Sequence, residues 1–131
     1  MVVSRCFKEL LPGLALVLAL GVGGGRSASA EPVSFADDVM PILQIRCLEC
    51  HKPGAEGFEQ SGLDLRTYEG LMQGTKHGPV IVPGDSMLSN LNVLVEGRAN
   101  PALRMPHNNK KLTRCEVDTL RRWVNHGAQK N

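Results

Sequence analysis

The chain has 131 residues, and its 15 Lys and Arg against 13 Asp and Glu give a formal net charge of +2. This near balance excludes a protein that binds nucleic acid through electrostatics alone. The 42% of apolar residues exclude a disordered chain, and the length allows one domain rather than two. Aromatic residues make up only 4%, which is few for a core and suggests that something else fills part of it.

The N-terminal thirty residues have the layout of a secretory signal peptide. Arg5 and Lys8 form a basic start, residues 10–25 carry no charge, and residues 28–30 (Ala-Ser-Ala) suit a signal peptidase. We predict cleavage after residue 30 and export, for example to the periplasm. A signal retained as a membrane anchor is the alternative, although the apolar run is shorter than the roughly 20 residues that a bilayer requires. The mature domain 31–131 then has 12 basic and 12 acidic side chains and no net charge.

The mature chain is predicted to begin with a helix over residues 34–46. Ser34 or Asp37 can cap its start, and Pro41 either kinks it or begins a second segment. Apolar residues at mostly three- and four-residue spacing form its inward stripe: Phe35, Val39, Ile42, Leu43 and Ile45.

The middle of the chain has weaker signals. Residues 52–66 are rich in Gly and Pro with little periodicity, so we predict a loop. A short helix is expected over 67–73, capped by Thr67 and stopped by Gly74.

A further helix is predicted from Asp85 or Ser86 to Glu96, with Gly97 as its stop. Its inward residues are Leu88, Leu91 and Val95.

The last helix has the clearest start. Residues 98–111 read as a loop containing Pro101 and Pro106, after which Thr113 and Glu116 form a capping box. The helix then continues to Gly127 with one apolar face. No convincing alternating strand is longer than residues 79–83, so the predicted class is all-α with long loops. The residues of that face are Val117, Leu120, Trp123 and Val124.

Cys47-Leu48-Glu49-Cys50-His51 has the pattern C-x-x-C-H at the end of the first predicted helix. Two thiols at this spacing can add to the two vinyl groups of a haem, and the adjacent imidazole can bind the iron. A structural disulfide is one alternative. A thioredoxin-like thiol pair and a zinc site are others, but no βαβ context and no second C-x-x-C are visible. We therefore predict one covalent haem c held by Cys47, Cys50 and His51.

A sixth iron ligand must come from elsewhere in the chain. Met105 is the favoured candidate, because it lies in a Pro-bounded loop before the last helix that can pass over the far face of a haem. Met40, Met72 and Met87 are expected to pack in the core. The rival ligand is His107, two residues from Met105; His77 and His126 are weaker rivals.

Two features outside the haem motif are noted. The thiol of Cys115 is left over once Cys47 and Cys50 hold haem, and Cys115 is expected to serve as a small residue at the start of the last helix, with a dimer-forming disulfide as the alternative. A basic cluster near this helix is either a solvated face or a docking patch for an acidic redox partner; its members are Lys110, Lys111, Arg114, Arg121 and Arg122.

Several segments follow one another in a recognisable order: Val39 to Leu43, Cys47 to His51, Gly62 to Leu65, Val82 to Asp85, Met105-Pro106, Leu112-Thr113, Leu120, Trp123 and Gly127-Ala128. In this order they resemble the planctomycete-type cytochrome c domain over nearly all of residues 33–128. The resemblance implies a class I-like cytochrome fold, with first and last helices packed across each other, and axial ligation of iron by His51 and Met105. His107 departs from the family, which usually has a second proline there.

The sequence therefore favours an exported mono-haem electron carrier rather than an enzyme, because no other catalytic motif is visible. A haem enzyme or gas sensor with an open distal face is the first alternative, and a haem-free C-x-x-C thiol oxidoreductase the second. The expected partner is another redox protein; neither nucleic acid nor a membrane span after cleavage is expected.

Overall fold

The computed structural model describes residues 31–107 and 111–131; the predicted signal peptide 1–30 and Lys110 lie outside these ranges. The described chain is helical, as predicted, and within it only Thr75 and Gly78 form an isolated β-bridge. Among the described helices none has the length and apolar character needed to cross a bilayer. The elements are a π-helical turn Phe35–Val39, α1 Met40–Arg46, α2 Glu56–Ser61, α3 Tyr68–Gln73, α4 Asn90–Glu96, a 3₁₀ turn Pro101–Leu103 and α5 Arg114–Asn125.

The first predicted helix is divided into the π-helical turn and α1. The Ser34 side chain caps the turn by accepting from the Asp37 N–H, and Pro41 occupies the first turn of α1, where its missing N–H costs little. The predicted stripe is wrong at Ile45, which is 72% exposed. Ile45 follows the fully buried Leu43 by two residues, which places it on the opposite side of the helix.

The loop predicted over 52–66 contains a helix, α2. The helix has no side-chain cap and no fully buried residue, so its sequence signal is weak. Tertiary hydrogen bonds hold it instead: the Phe58 N–H donates to the Cys50 carbonyl (3.0 Å), and the Lys76 N–H donates to the Ser61 carbonyl (2.9 Å). Gly62 ends the helix in the left-handed conformation, with φ of 76°.

Helix α3 confirms the prediction, with Thr67 as its cap and Gly74 at its end. Helix α4 ends at Gly97 as predicted but begins only at Asn90.

The chain before α4 is a turn, because Asp85 Oδ1 accepts from the backbone N–H groups of Met87 and Leu88. These two side chains therefore point outward, with 64% and 68% exposure, and the prediction that they are buried was wrong. Leu91 and Val95 are buried as expected.

Helix α5 has the predicted capping box. The Thr113 side chain accepts from the Glu116 N–H (3.2 Å), and Glu116 Oε2 accepts from the Thr113 N–H (2.7 Å). Leu120, Trp123 and Val124 are almost completely buried. α5 contacts both α4 and the π-helical turn. The last helix therefore packs against the beginning of the described domain as well as against its nearest preceding α-helix.

The aromatic side chains gather at this junction. Phe35 contacts Tyr68 and Trp123, with ring centroids 5.1 and 5.4 Å apart. The polar atoms of this cluster are satisfied by the C-terminal tail: Trp123 Nε1 donates to the Gln129 carbonyl and Tyr68 Oη to the Ala128 carbonyl, both at 2.9 Å. A few aromatic residues therefore serve the core by packing on one another.

Candidate functional site

The C-x-x-C-H segment continues directly from α1 as a tight turn. The N–H groups of Cys47 and Leu48 both donate to the Leu43 carbonyl at 2.9 Å, which ties the start of the motif to the helix. The N–H groups of Cys50 and His51 then donate to the Cys47 carbonyl, at 3.1 and 3.0 Å. The backbone thus places both cysteines and the histidine on one compact turn.

α2 and the chain after it pack against this turn and hydrogen-bond to its backbone. The Phe58 N–H donates to the Cys50 carbonyl, and the Leu65 N–H donates to the His51 carbonyl (2.9 Å). Gly57 lies so close that a Cβ there would be 2.8 Å from the Cys50 carbonyl oxygen and 3.1 Å from His51 Cε1. Glycine is required because the helix backbone itself approaches the imidazole ring.

The His51 side chain is half-buried, and its Nδ1 is buried with no hydrogen-bond partner in the described part of the chain. Burial lowers the pKa of His51, and the nearby charge of His107 lowers it further. The imidazole is therefore neutral at pH 7, which is the form that binds metals.

The two motif cysteines are free thiols, so the alternative of a disulfide between them is not realised. Cys47 is half-buried, and burial, followed by the negative charge of Glu116, raises its pKa to about 11. Cys50 is exposed. Thiol oxidoreductases require a depressed thiol pKa, so the environment of Cys47 is opposite to that of a redox-active C-x-x-C nucleophile.

Met105 is half-buried and packs against the same hydrophobic core as Cys47 and Leu48. Its N–H donates to the carbonyl of Leu94 (3.2 Å), which fixes the Met105 loop to α4. His107, by contrast, is exposed.

The other methionines divide into two kinds. Met40 and Met72 pack partly against the core as predicted, whereas Met87 lies on the surface.

Two of the four described members of the predicted basic cluster are paired with carboxylates. Arg121 Nη2 lies 3.2 Å from Glu96 Oε1, and Arg122 Nε lies 3.1 Å from Asp118 Oδ2. The zinc alternative finds no support among the described residues, where no three His, Cys, Asp or Glu side chains converge as metal ligands.

Two features of the site were missed from the sequence. The first is the close approach of Gly57, which the sequence assigned to a Gly- and Pro-rich loop because one glycine in such a stretch does not show what its backbone meets. The second is the ion pair between Arg46, directly before the motif, and Glu116: Nε to Oε1 is 2.9 Å and Nη2 to Oε2 is 3.2 Å. No local pattern relates two residues 70 positions apart.

These residues fit a covalently attached haem. Two unlinked thiols and a neutral imidazole share one turn, and the buried Nδ1 leaves the ring without a competing internal partner. A soft methionine sulfur lies in a loop anchored at the same core. Thiol, imidazole and thioether together form the donor set of c-type haem sites.

Comparison with known proteins gives one family. No curated protein and no solved structure matches the chain. Residues 47–108 match the family model described as Planctomycete cytochrome C. This match begins at the first motif cysteine, passes α2, α3 and α4, and includes Met105 and His107. Residues 47–108 of the chain are therefore similar to the planctomycete cytochrome c family, as the resemblance predicted.

Proposed function

We propose that this protein is an exported electron carrier with one covalent haem, whose iron is bound by His51 and Met105. The observation that carries the proposal is the compact turn that holds two free thiols and a neutral, half-buried histidine within the matched family segment. The haem, when bound, supplies an iron that exchanges one electron between its ferrous and ferric forms. The chain would hold, insulate and tune it.

Each residue has a separate role in this proposal. Cys47 and Cys50 would hold the haem covalently, through thioether bonds to its two vinyl groups. His51 would bind the iron through an imidazole nitrogen, and α2 and Gly57 lie against its ring.

Met105 is proposed as the sixth ligand because it is half-buried against the same core as Cys47, whereas the rival His107 is exposed. A methionine ligand favours the ferrous state and raises the reduction potential. A six-coordinate iron has no open position for a substrate, which supports electron transfer over a haem enzyme or sensor.

The first experiment is an intact-mass measurement on protein expressed with haem maturation factors. We expect the polypeptide 31–131 plus one haem, which also tests the predicted cleavage after Ala30. A Cys47→Ser, Cys50→Ser double variant is the control and should have the mass of the polypeptide alone. A wild-type mass without haem would rule out the proposal, and a mass with two haems would rule out its mono-haem form.

The second experiment tests the sixth ligand. We expect Met105→Ala to abolish the near-infrared sulfur-to-iron band and to lower the potential by on the order of 0.1 V, since axial ligands vary haem potentials over roughly 0.8 V. Met87→Ala is the matched control, because Met87 is on the surface. Loss of low-spin ligation in His107→Ala instead would assign the ligand to His107. Tight carbon monoxide binding by the native ferrous protein would favour the sensor or enzyme.

We also propose that the partner is another redox protein, and the charges near α5 predict how its binding depends on salt. Arg121 and Arg122 are paired with Glu96 and Asp118, so a partner would meet a patch of mixed charge rather than a strongly basic one. We therefore expect its association rate to depend only weakly on salt.

A further inference from the structure

Arg104 is a partly buried arginine whose guanidinium has no acidic partner among the described residues. Its Nε is buried and makes no hydrogen bond there. Other arginines of the domain differ: Arg46, Arg98 and Arg121 each have a carboxylate oxygen within 3.2 Å. Arg104 is thus an exception in a domain that otherwise pairs its half-buried guanidinium groups.

The position of this guanidinium is fixed by the end of α4. Arg104 follows the 3₁₀ turn, and its N–H donates to the Pro101 carbonyl (3.2 Å). Its side chain lies against Gly97, where a Cβ would be only 3.0 Å from both Nε and Cζ. Gly97 has a φ of 70°, so the residue that ends α4 also leaves the space that the guanidinium occupies.

The next residue is Met105, the proposed iron ligand, whose N–H donates to the Leu94 carbonyl at 3.2 Å. The unpaired cation and the thioether are therefore held one residue apart on the same helix end. A haem carries two propionate carboxylates at one edge of its ring. A guanidinium matches a carboxylate with two parallel hydrogen bonds, and burying it without an anion is costly.

We propose that Arg104 pairs with a haem propionate and thereby positions the haem edge and keeps that carboxylate ionised. This inference rests on the proposed function. The inference goes beyond the proposed function because it concerns the polar edge of the haem rather than the iron, and it assigns the partly buried Arg104 to that edge. A free anion from solution could satisfy the same guanidinium, and the experiment separates the two sources.

The test measures the reduction potential against pH for haem-loaded wild type, Arg104→Met and Arg104→Lys. The Met variant keeps the stem and loses the charge, so the unpaired propionate should lower the potential. That propionate should also titrate nearer to the usual carboxyl range of about 4–5, which gives the variant a pH-dependent potential that wild type lacks. The Lys variant should have a reduction potential close to that of wild type, because lysine restores the positive charge although it lacks the two parallel hydrogen bonds of the guanidinium.

Arg122→Met is the control, since it removes the same charge from an exposed ion pair on α5, and it should leave the potential and its pH profile unchanged. The inference is overturned if haem-loaded Arg104→Met behaves like Arg122→Met. It is also overturned if the wild-type potential depends on the concentration of added phosphate, which would indicate a free anion. If Arg104→Met does not fold, Arg104→Gln takes its place as the uncharged variant, and a haem-loaded Arg104→Gln protein with the potential and pH profile of wild type decides against the inference. A wild-type mass without haem would instead refute the proposed function.

Discussion

The ion pair between Arg46 and Glu116 joins the end of α1, directly before the haem motif, to the first turn of α5. Both side chains are only about one-fifth exposed, at 22% and 20%, and the two hydrogen bonds between them are 2.9 and 3.2 Å long. Glu116 Oε2 also accepts from the Thr113 N–H. One carboxylate thus holds both the start of α5 and the end of α1.

We predict that Glu116→Gln lowers the free energy of unfolding by about 1–2 kcal/mol. Glutamine can retain the capping box, so the decrease in the free energy of unfolding measures the contribution of the negative charge. Charged hydrogen bonds contribute about 1.5–3 kcal/mol when protected, and solvent screening reduces this toward the roughly 0.2–1 kcal/mol of exposed pairs. The partial burial of this pair places it between these limits.

Urea unfolding of haem-loaded protein provides the measurement, in a double-mutant cycle with Arg46→Gln. We expect a coupling energy of about 1 kcal/mol or more. The control cycle uses Arg122 and Asp118, an i,i+4 pair on α5 with 46% and 54% exposure, where about 0.3–0.5 kcal/mol is expected. Equal coupling in the two cycles would refute the reasoning that burial makes the Arg46–Glu116 pair stronger.

The same pair should make stability depend on pH. Burial alone would raise the pKa of Glu116, but the hydrogen bonds from Arg46 and Thr113 outweigh it and bring the pKa below the ordinary value of 4.5. A lowered folded-state pKa contributes stability that is present above 4.5 and is lost as the pH falls through the folded value. The stability difference between wild type and Glu116→Gln should therefore shrink below about pH 4. A difference that is constant from pH 7 downward would contradict this.

Three further variants test the packing. Gly57→Ala should destabilise the haem-loaded protein by about 1–3 kcal/mol in urea, because its Cβ would meet the Cys50 carbonyl at 2.8 Å; wild-type stability would show that α2 can move away. Asn92→Leu should stabilise it by about 1–3 kcal/mol, since Asn92 is fully buried and neither polar atom of its amide has a partner in the described part of the chain; a destabilised variant would indicate a bound partner such as the haem. Trp123→Ala should cost about 3–5 kcal/mol, because the ring is 1% exposed and packs on Phe35; a thermal or urea midpoint near that of wild type would count against the aromatic junction.

Local sequence signals determined the features whose causes lie within a few residues. The capping box of Thr113 and Glu116, the caps of α3 and the glycine stops of α3 and α4 were all predicted, because each depends on one turn of backbone. The haem motif is equally local, and the family match at 47–108 confirmed the resemblance that it carried. The predicted signal peptide stays a prediction.

The errors occurred where tertiary contacts or a local turn overrode the helical pattern. Helix α2 has little periodicity of its own and is held by the backbone of the haem motif. Leu88 and Met87 were expected to be buried because the pattern of α4 was extended backward to Asp85. The Asp85 side chain instead closes a turn that directs both outward.

The sequence by itself determined the all-α class and the resemblance of residues 47–108 to the planctomycete cytochrome c family, and haem attachment at Cys47, Cys50 and His51 stays a prediction. Only the tertiary structure brought Glu116 to Arg46, Gly57 to the imidazole of His51, and Arg104 to the end of α4 without an acidic partner among the described residues. The physical reason is distance along the chain. A covalent motif is readable because its atoms are neighbours in sequence, whereas burial and charge pairing depend on which distant segments meet.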